Sequence, residues 1–149
     1  MTTTSIENKN IKVFIDTNVI IDALTERDNT YQSSRQIWRH ILHGNIKGYL
    51  SSKQITDIYY IFKKYYKDET MIRDYIRNIV DSFEILPFFK GDILACLKTE
   101  MDDFEDAIIC EVAKVNMINI IVTNNIKHFA NSKMMVLSPQ QLLKMYSLE

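Results

Sequence analysis

Residues 11–22 read IKVFIDTNVIID. The first five include four apolar residues, three of them β-branched. They form a run too short for a helix and suited to a buried strand. Asp16, Thr17 and Asn18 follow at once, and Val19, Ile20, Ile21, Ala23 and Leu24 then continue as a helix. A strand that passes through a polar turn straight into a helix opens a βα unit.

The same alternation runs outward from this stretch. Residues 31–42 predict a helix, with Ile37, Trp38, Ile41 and Leu42 on helical spacing and Gly44 and Asn45 as its stop. Residues 46–50 read as a strand. A helix follows from Ser51 or Ser52 to about Tyr66, with Ile55, Ile58, Tyr59, Phe62 and Tyr66 as its apolar stripe. Beyond it come a helix at 68–80, a strand at 83–86 closed by Pro87, and helices at 88–97 and 103–115. Strands at 119–122 and 134–137 follow, and Ser138-Pro139 starts a last helix. Short apolar strands alternating with amphipathic helices predict an α/β fold with a parallel sheet covered on both faces.

The chain has 149 residues, 46% of them hydrophobic and 25% charged, which suits one globular domain with a real core. That domain is expected at residues 11–149, after a polar lead-in at 1–10 (MTTTSIENKN) that reads as disordered. The lead-in lacks the apolar segment of a signal peptide, and no apolar run approaches the ~20 residues that cross a bilayer. A cytoplasmic protein is expected. Cys96 and Cys110 form no metal pattern and read as reduced packing residues. The net charge of −1 does not announce nucleic-acid binding, so an RNA substrate would need local basic patches. Arg35/Arg39, Lys63/Lys64/Lys67 and Arg73/Arg77 offer such edges, and each is equally ordinary as a solvated face.

In open parallel sheets, ligands bind beyond the carboxyl ends of the strands. Asp16-Thr17-Asn18 and Thr123-Asn124-Asn125 both fall there. Asp16 suits a ligand or a helix N-cap. Asp22 interrupts an apolar set and needs a partner if buried. In MDDFEDAII (101–109), Asp103 and Asp106 are i, i+3 neighbours, while Glu105 projects about 100° away from Asp106 by the helical repeat. The pair reads as a cation site or as a solvated acidic first turn. Asp57 projects opposite the apolar stripe of its helix, as a solvated residue would. Asn125 suits a carbonyl ligand or turn chemistry. Carboxylates and amides without a His or Cys cluster favour hard cations such as Mg²⁺ or Mn²⁺.

Taken together, FIDTNVIID (14–22), ITDIYYIF (55–62), DFEDAIICEVAK (103–114), IVTNNIKHF (121–129) and VLSPQQLL (136–143) resemble the PIN-domain family. That family includes the VapC-type toxins of bacterial toxin–antitoxin pairs. The resemblance implies a three-layer α/β/α sandwich around the parallel sheet, and a Mg²⁺- or Mn²⁺-dependent ribonuclease. It assigns Asp16, Asp57 and Asp106 as catalytic and metal-binding, Asp103 as a further ligand, and Asn18 and Asn125 as accessory polar residues. Asn125 departs from the Asp that many relatives carry, and His128 receives no role. The resemblance also implies a small antitoxin partner and a homodimer. The aromatic excess at 55–66 is surface that an interface would use.

Two rivals stand beside this reading. A haloacid-dehalogenase-like phosphotransferase expects DxDx[TV], but Asn18 stands at its second acid. A catalytically silent PIN domain that binds RNA or protein fits the Asn125 departure.

Overall fold

The structure is a computed structural model that describes residues 10–27 and 29–149. Of the lead-in expected to be disordered, residues 1–9 lie outside the described residues. Among the described residues five strands are present: β1 (Ile11–Ile15), β2 (Ile46–Ser51), β3 (Glu84–Leu86), β4 (Ile120–Val122) and β5 (Met135–Leu137). The same residues form seven α-helices: α1 (Thr17–Thr25), α2 (Tyr31–Leu42), α3 (Ser52–Tyr65), α4 (Glu69–Ser82), α5 (Lys90–Cys96), α6 (Phe104–Val115) and α7 (Pro139–Met145). A short 3-10 turn at Ile126–Phe129 also forms, which the periodicity did not predict.

The strands form one all-parallel sheet in the order β3-β2-β1-β4-β5. Side chains alternate between its faces, as the period of two demands. Val13, Ile15, Leu50 and Val122 pack under α1, α2, α3, α4 and α7. Phe14, Tyr49 and Ile121 pack instead against Cys96 of α5 and the apolar side of α6. The result is the expected three-layer α/β/α sandwich. Both cysteines are free and lie in the second of these layers, Cys96 buried and Cys110 half-buried. Apolar packing pushes the Cys110 thiol up to about 12, so it stays protonated and inert.

One crossing in this topology positions the site. From β1 the chain moves outward to β2 and β3, then returns across the sheet to place β4 on the other side of β1. The carboxyl ends of β1 and β4 thus flank the point where strand order reverses, and a crevice opens there. Register does the rest. Ile15 pairs with Val122, so the next residues, Asp16 and Thr123, stand side by side.

Candidate active site

Asp16 caps α1 in extended backbone conformation, but its side chain makes no cap hydrogen bond. Instead Thr123 Oγ1 donates to Asp16 Oδ2 at 2.7 Å. The same hydroxyl oxygen accepts from the Asn125 backbone N–H at 3.0 Å and faces Asn18 Nδ2 at 3.3 Å. Asn18 Oδ1 accepts the Asn124 backbone N–H at 3.1 Å. The two polar stretches singled out in the sequence are therefore stitched into one turn-to-turn network, with Thr123 at its centre. Asn18 works here as a brace of the β4 turn.

Asp22 finds the partners its burial requires. Arg27 Nε donates to Oδ1 at 2.5 Å, and Asn124 Nδ2 donates to Oδ2 at 2.7 Å while also reaching Ser34 Oγ at 3.0 Å. This second carboxylate thus pins the β4 turn from behind and takes no part in the crevice.

Asp106 enters from α6. Asp103 is the N-cap of that helix, and its Oδ1 accepts the Asp106 N–H at 3.0 Å. The cap carries α6 toward the ends of the strands and leaves Asp106 only 8% exposed. Its Oδ2 is buried without a hydrogen-bond partner, and His128 Nδ1 stands 3.8 Å away. Burial chiefly, and then the nearby charges of Asp16 and Asp103, push its carboxyl up to about 6. Burial also raises Asp16, against the lowering effect of the Thr123 hydroxyl. Two desolvated carboxylates that repel each other are poised to release protons to a cation.

A cavity of about 300 Å³ joins Asp16 and Asp106 to α3. Its walls include Ser51, Lys53, Asp57, Tyr60 and Glu105. Asp57 is half-buried on this wall, not on a solvated face as the helical projection suggested. Lys53 Nζ pairs with Asp57 Oδ2 at 2.7 Å and also with Glu105. Glu105 was expected to point away from the site, yet it closes the rim opposite α3. The first turn of a helix splays its side chains over the mouth of a crevice, so an offset of one residue does not remove it from the site.

Asp103 is exposed and lines an adjoining cleft with Lys127 and His128, outside the cavity that holds Asp16 and Asp106. The Asn125 amide lies against the His128 ring, 2.9 Å from Nε2. Among the described residues, no three His, Cys, Asp or Glu side chains converge as a ready-made metal cage. The residues nonetheless fit a hard cation. Asp106 Oδ2 and Ser51 Oγ are both buried without hydrogen-bond partners, and both residues line the cavity. Such orphans in a native fold ask for a ligand or an ion.

Of the basic edges, Arg35 is used internally. It donates to Ala23 O at 2.7 Å and pairs with Glu26 at 2.5 Å. Arg73 and Arg77 pair with Glu69 and Asp74 of their own helix.

Sequence reading missed Lys53 and Gln54. Gln54 Oε1 accepts the Ser51 N–H at 2.7 Å, while its Nε2 donates to Ile15 O at 2.9 Å and faces Thr17 Oγ1 at 3.2 Å. It thereby fastens the start of α3 to the end of β1. The Ser51-x-x-Gln54 spacing, a capping-box signature, was the available signal.

The PIN-domain family model matches residues 12–127. The chain belongs to the PIN-domain family. It is 28% identical over 141 residues to "Ribonuclease VapC1" of Aquifex aeolicus (strain VF5), covering 91% of this chain and 96% of that one. Among solved structures it resembles VapBC2 from Rickettsia felis bound to a DNA fragment from their promoter, with TM-score 0.63 and 17% identity. That match covers 85% of this chain and 97% of the other. A toxin–antitoxin complex from Klebsiella pneumoniae matches with TM-score 0.63, 24% identity and the same two coverages, and like the previous one it bears on the fold.

Within this PIN domain, Thr123 makes a sharp test of the network. Thr123→Val removes the donor to Asp16 and the acceptor for the Asn125 N–H. Activity is expected to fall roughly 10- to 100-fold, the cost of losing a group that orients a ligand. Stability is expected to fall by about 1–3 kcal/mol, because the buried Asp16 carboxylate and the half-buried Asn125 N–H both lose a hydrogen bond. Thr123→Ser keeps the hydroxyl and should recover most of both. Equal melting temperatures and rates for Val and Ser would remove Thr123 from this role.

Proposed function

We propose that this PIN domain is an endoribonuclease that hydrolyses RNA phosphodiester bonds with the help of Mg²⁺ or Mn²⁺, and that it serves as the toxin of a cytoplasmic toxin–antitoxin pair. The observation that carries the reading is the buried pair Asp16 and Asp106, with an orphaned Asp106 oxygen, at the sheet's switch point. The likeness to a protein named a ribonuclease and to toxin–antitoxin structures supports it.

Asp16 and Asp106 would hold the cation, with Asp57 on the α3 wall and Asp103 at the outer edge completing the acidic set. A bound divalent ion supplies an acidified water and neutralises charge on the phosphate. Thr123 fixes the rotamer of Asp16, Asn18 holds the turns after β1 and β4 against each other, and Gln54 fastens the start of α3 to the end of β1. One carboxylate of this set would accept the proton of the attacking water. Residues 11–149 act as one nuclease domain in this reading. It pairs with a small antitoxin and forms a homodimer. No helix among the described residues is long and apolar enough to cross a membrane.

Two observations favour a catalytically silent domain: Lys53 already pairs with Asp57, and Asp103 is engaged as a cap. The two readings separate on one gel. Purified chain with Mn²⁺ should shorten RNA and leave small phosphate monoesters untouched. RNA bound but left whole would favour the silent domain.

A further inference from the structure

Asp16 and Asp106 account for the floor of the cavity but not for its α3 wall. On α3, Lys53, Asp57 and Tyr60 fall at i, i+4 and i+7 and share one face, and all three line the cavity. Tyr60 is 65% exposed although it stands at the mouth of a buried acid pair. Its ring is braced edge-on by Tyr59, with centroids 5.5 Å apart and planes at 87°. An exposed aromatic ring at the mouth of a cavity that holds both apolar side chains and a lysine meets one ligand chemistry particularly well: a flat ring joined to an anionic group.

We propose that Tyr60 is the stacking platform for an unpaired nucleobase, and that Lys53 on the same face meets that nucleotide's phosphate. The subsite rests on the ribonuclease reading and deepens it: the substrate must offer a single-stranded base next to the phosphate at the acid pair. A base inside a duplex has both faces covered by its neighbours and cannot lie on the ring. Lys53 and Tyr60 are separated by seven residues, about 10 Å of helix rise. That span accommodates an extended nucleotide with its phosphate pointing inward. Lys53 is shared between Asp57 and Glu105, one cation against two carboxylates, so a phosphate engages it by drawing the ammonium away from those partners.

Fluorescence anisotropy of the full chain in Ca²⁺ tests this, with a labelled oligoadenylate and an abasic ribose-phosphate strand of equal length as probes. Wild type should prefer the base-bearing strand. Tyr60→Ala should weaken binding to it by about 5- to 100-fold, the usual range for one lost stacking contact, without weakening binding to the abasic strand. Tyr60→Phe should recover the loss and Tyr60→Leu should not. The proposal is overturned if Tyr60→Ala weakens both strands alike, which would mark a general effect on folding or charge. It is equally overturned if affinity is unchanged while sedimentation shows an altered oligomeric mass, because the ring then belongs to a protein contact. Cleavage of RNA by wild type in Mn²⁺ is read separately. Base-dependent binding without cleavage would sink the nuclease reading and leave the subsite standing.

Discussion

Asp106→Asn is expected to lower RNA cleavage in Mn²⁺ by roughly 10²- to 10⁴-fold, the range associated with losing an acid–base group. Asp16→Asn should fall into the same range. Both changes preserve shape and remove the charge that would face the proposed cation. The pH dependence of stability adds an independent signature for Asp106. In the folded protein burial pushes its carboxyl up to about 6, above its ordinary value of 3.8. Between those values the folded state holds more protons than the unfolded one, so stability falls as pH rises through the window. The full cost, on the order of 2–3 kcal/mol, is present only above about pH 6. Asn carries no such cost. In EDTA, Asp106→Asn should therefore melt several degrees above wild type at pH 7, with the gap closing toward pH 4. A variant that cleaves like wild type, or a melting gap that ignores pH, would dismiss Asp106 from the site. Glu105 is no neutral control for this experiment, because it closes the cavity rim against Lys53.

Removal of divalent cations should abolish cleavage outright, and Mg²⁺ or Mn²⁺ should restore it. A melting experiment gives the same answer without RNA. An ion that binds only the folded chain adds about 2.7 kcal/mol at a hundredfold excess over its dissociation constant. The melting temperature should therefore climb with Mn²⁺ concentration. The climb should shrink below about pH 6, where protons compete for Asp106. The Asp16→Asn and Asp106→Asn variants should show little of it. Cleavage that persists in EDTA, or a wild-type melting curve indifferent to Mn²⁺ at pH 7, would refute a metal mechanism.

Period and punctuation made the frame of this protein legible. β1 and α2 carry the bounds their patterns predicted, and other element ends moved by one or a few residues, as at α5, where a Phe-Phe start proved to precede the helix. Asp16 and the Thr123 turn were visible because a polar residue at the end of a buried strand stands out. The rest depended on which helices come together. Helical projection put Asp57 on a solvated face and Glu105 away from the site, because it knows one helix and not its neighbour. Where α3 and α6 approach across the crevice, both faces meet the same cavity. Lys53 was invisible for the same reason: its role is a bridge between elements 52 residues apart in sequence, to Glu105. Asp103 and Asp106 looked like equal partners on one helix, but one is the cap and the other is buried.

The return of the chain across the sheet has a further meaning while the protein is being made. Synthesis delivers β1, β2 and β3 long before β4. In that interval β1 has a bare edge, with apolar side chains and unpaired backbone groups, the condition that invites a wrong strand to add. The last third of the chain cures this and completes the site in the same stroke, because β4 covers the edge while α6 and the turn after β4 bring Asp106 and Thr123 to Asp16. A nascent fragment that ends before α6 therefore carries Asp16 but no acid pair, and the cavity gains its second carboxylate only in the last third of synthesis.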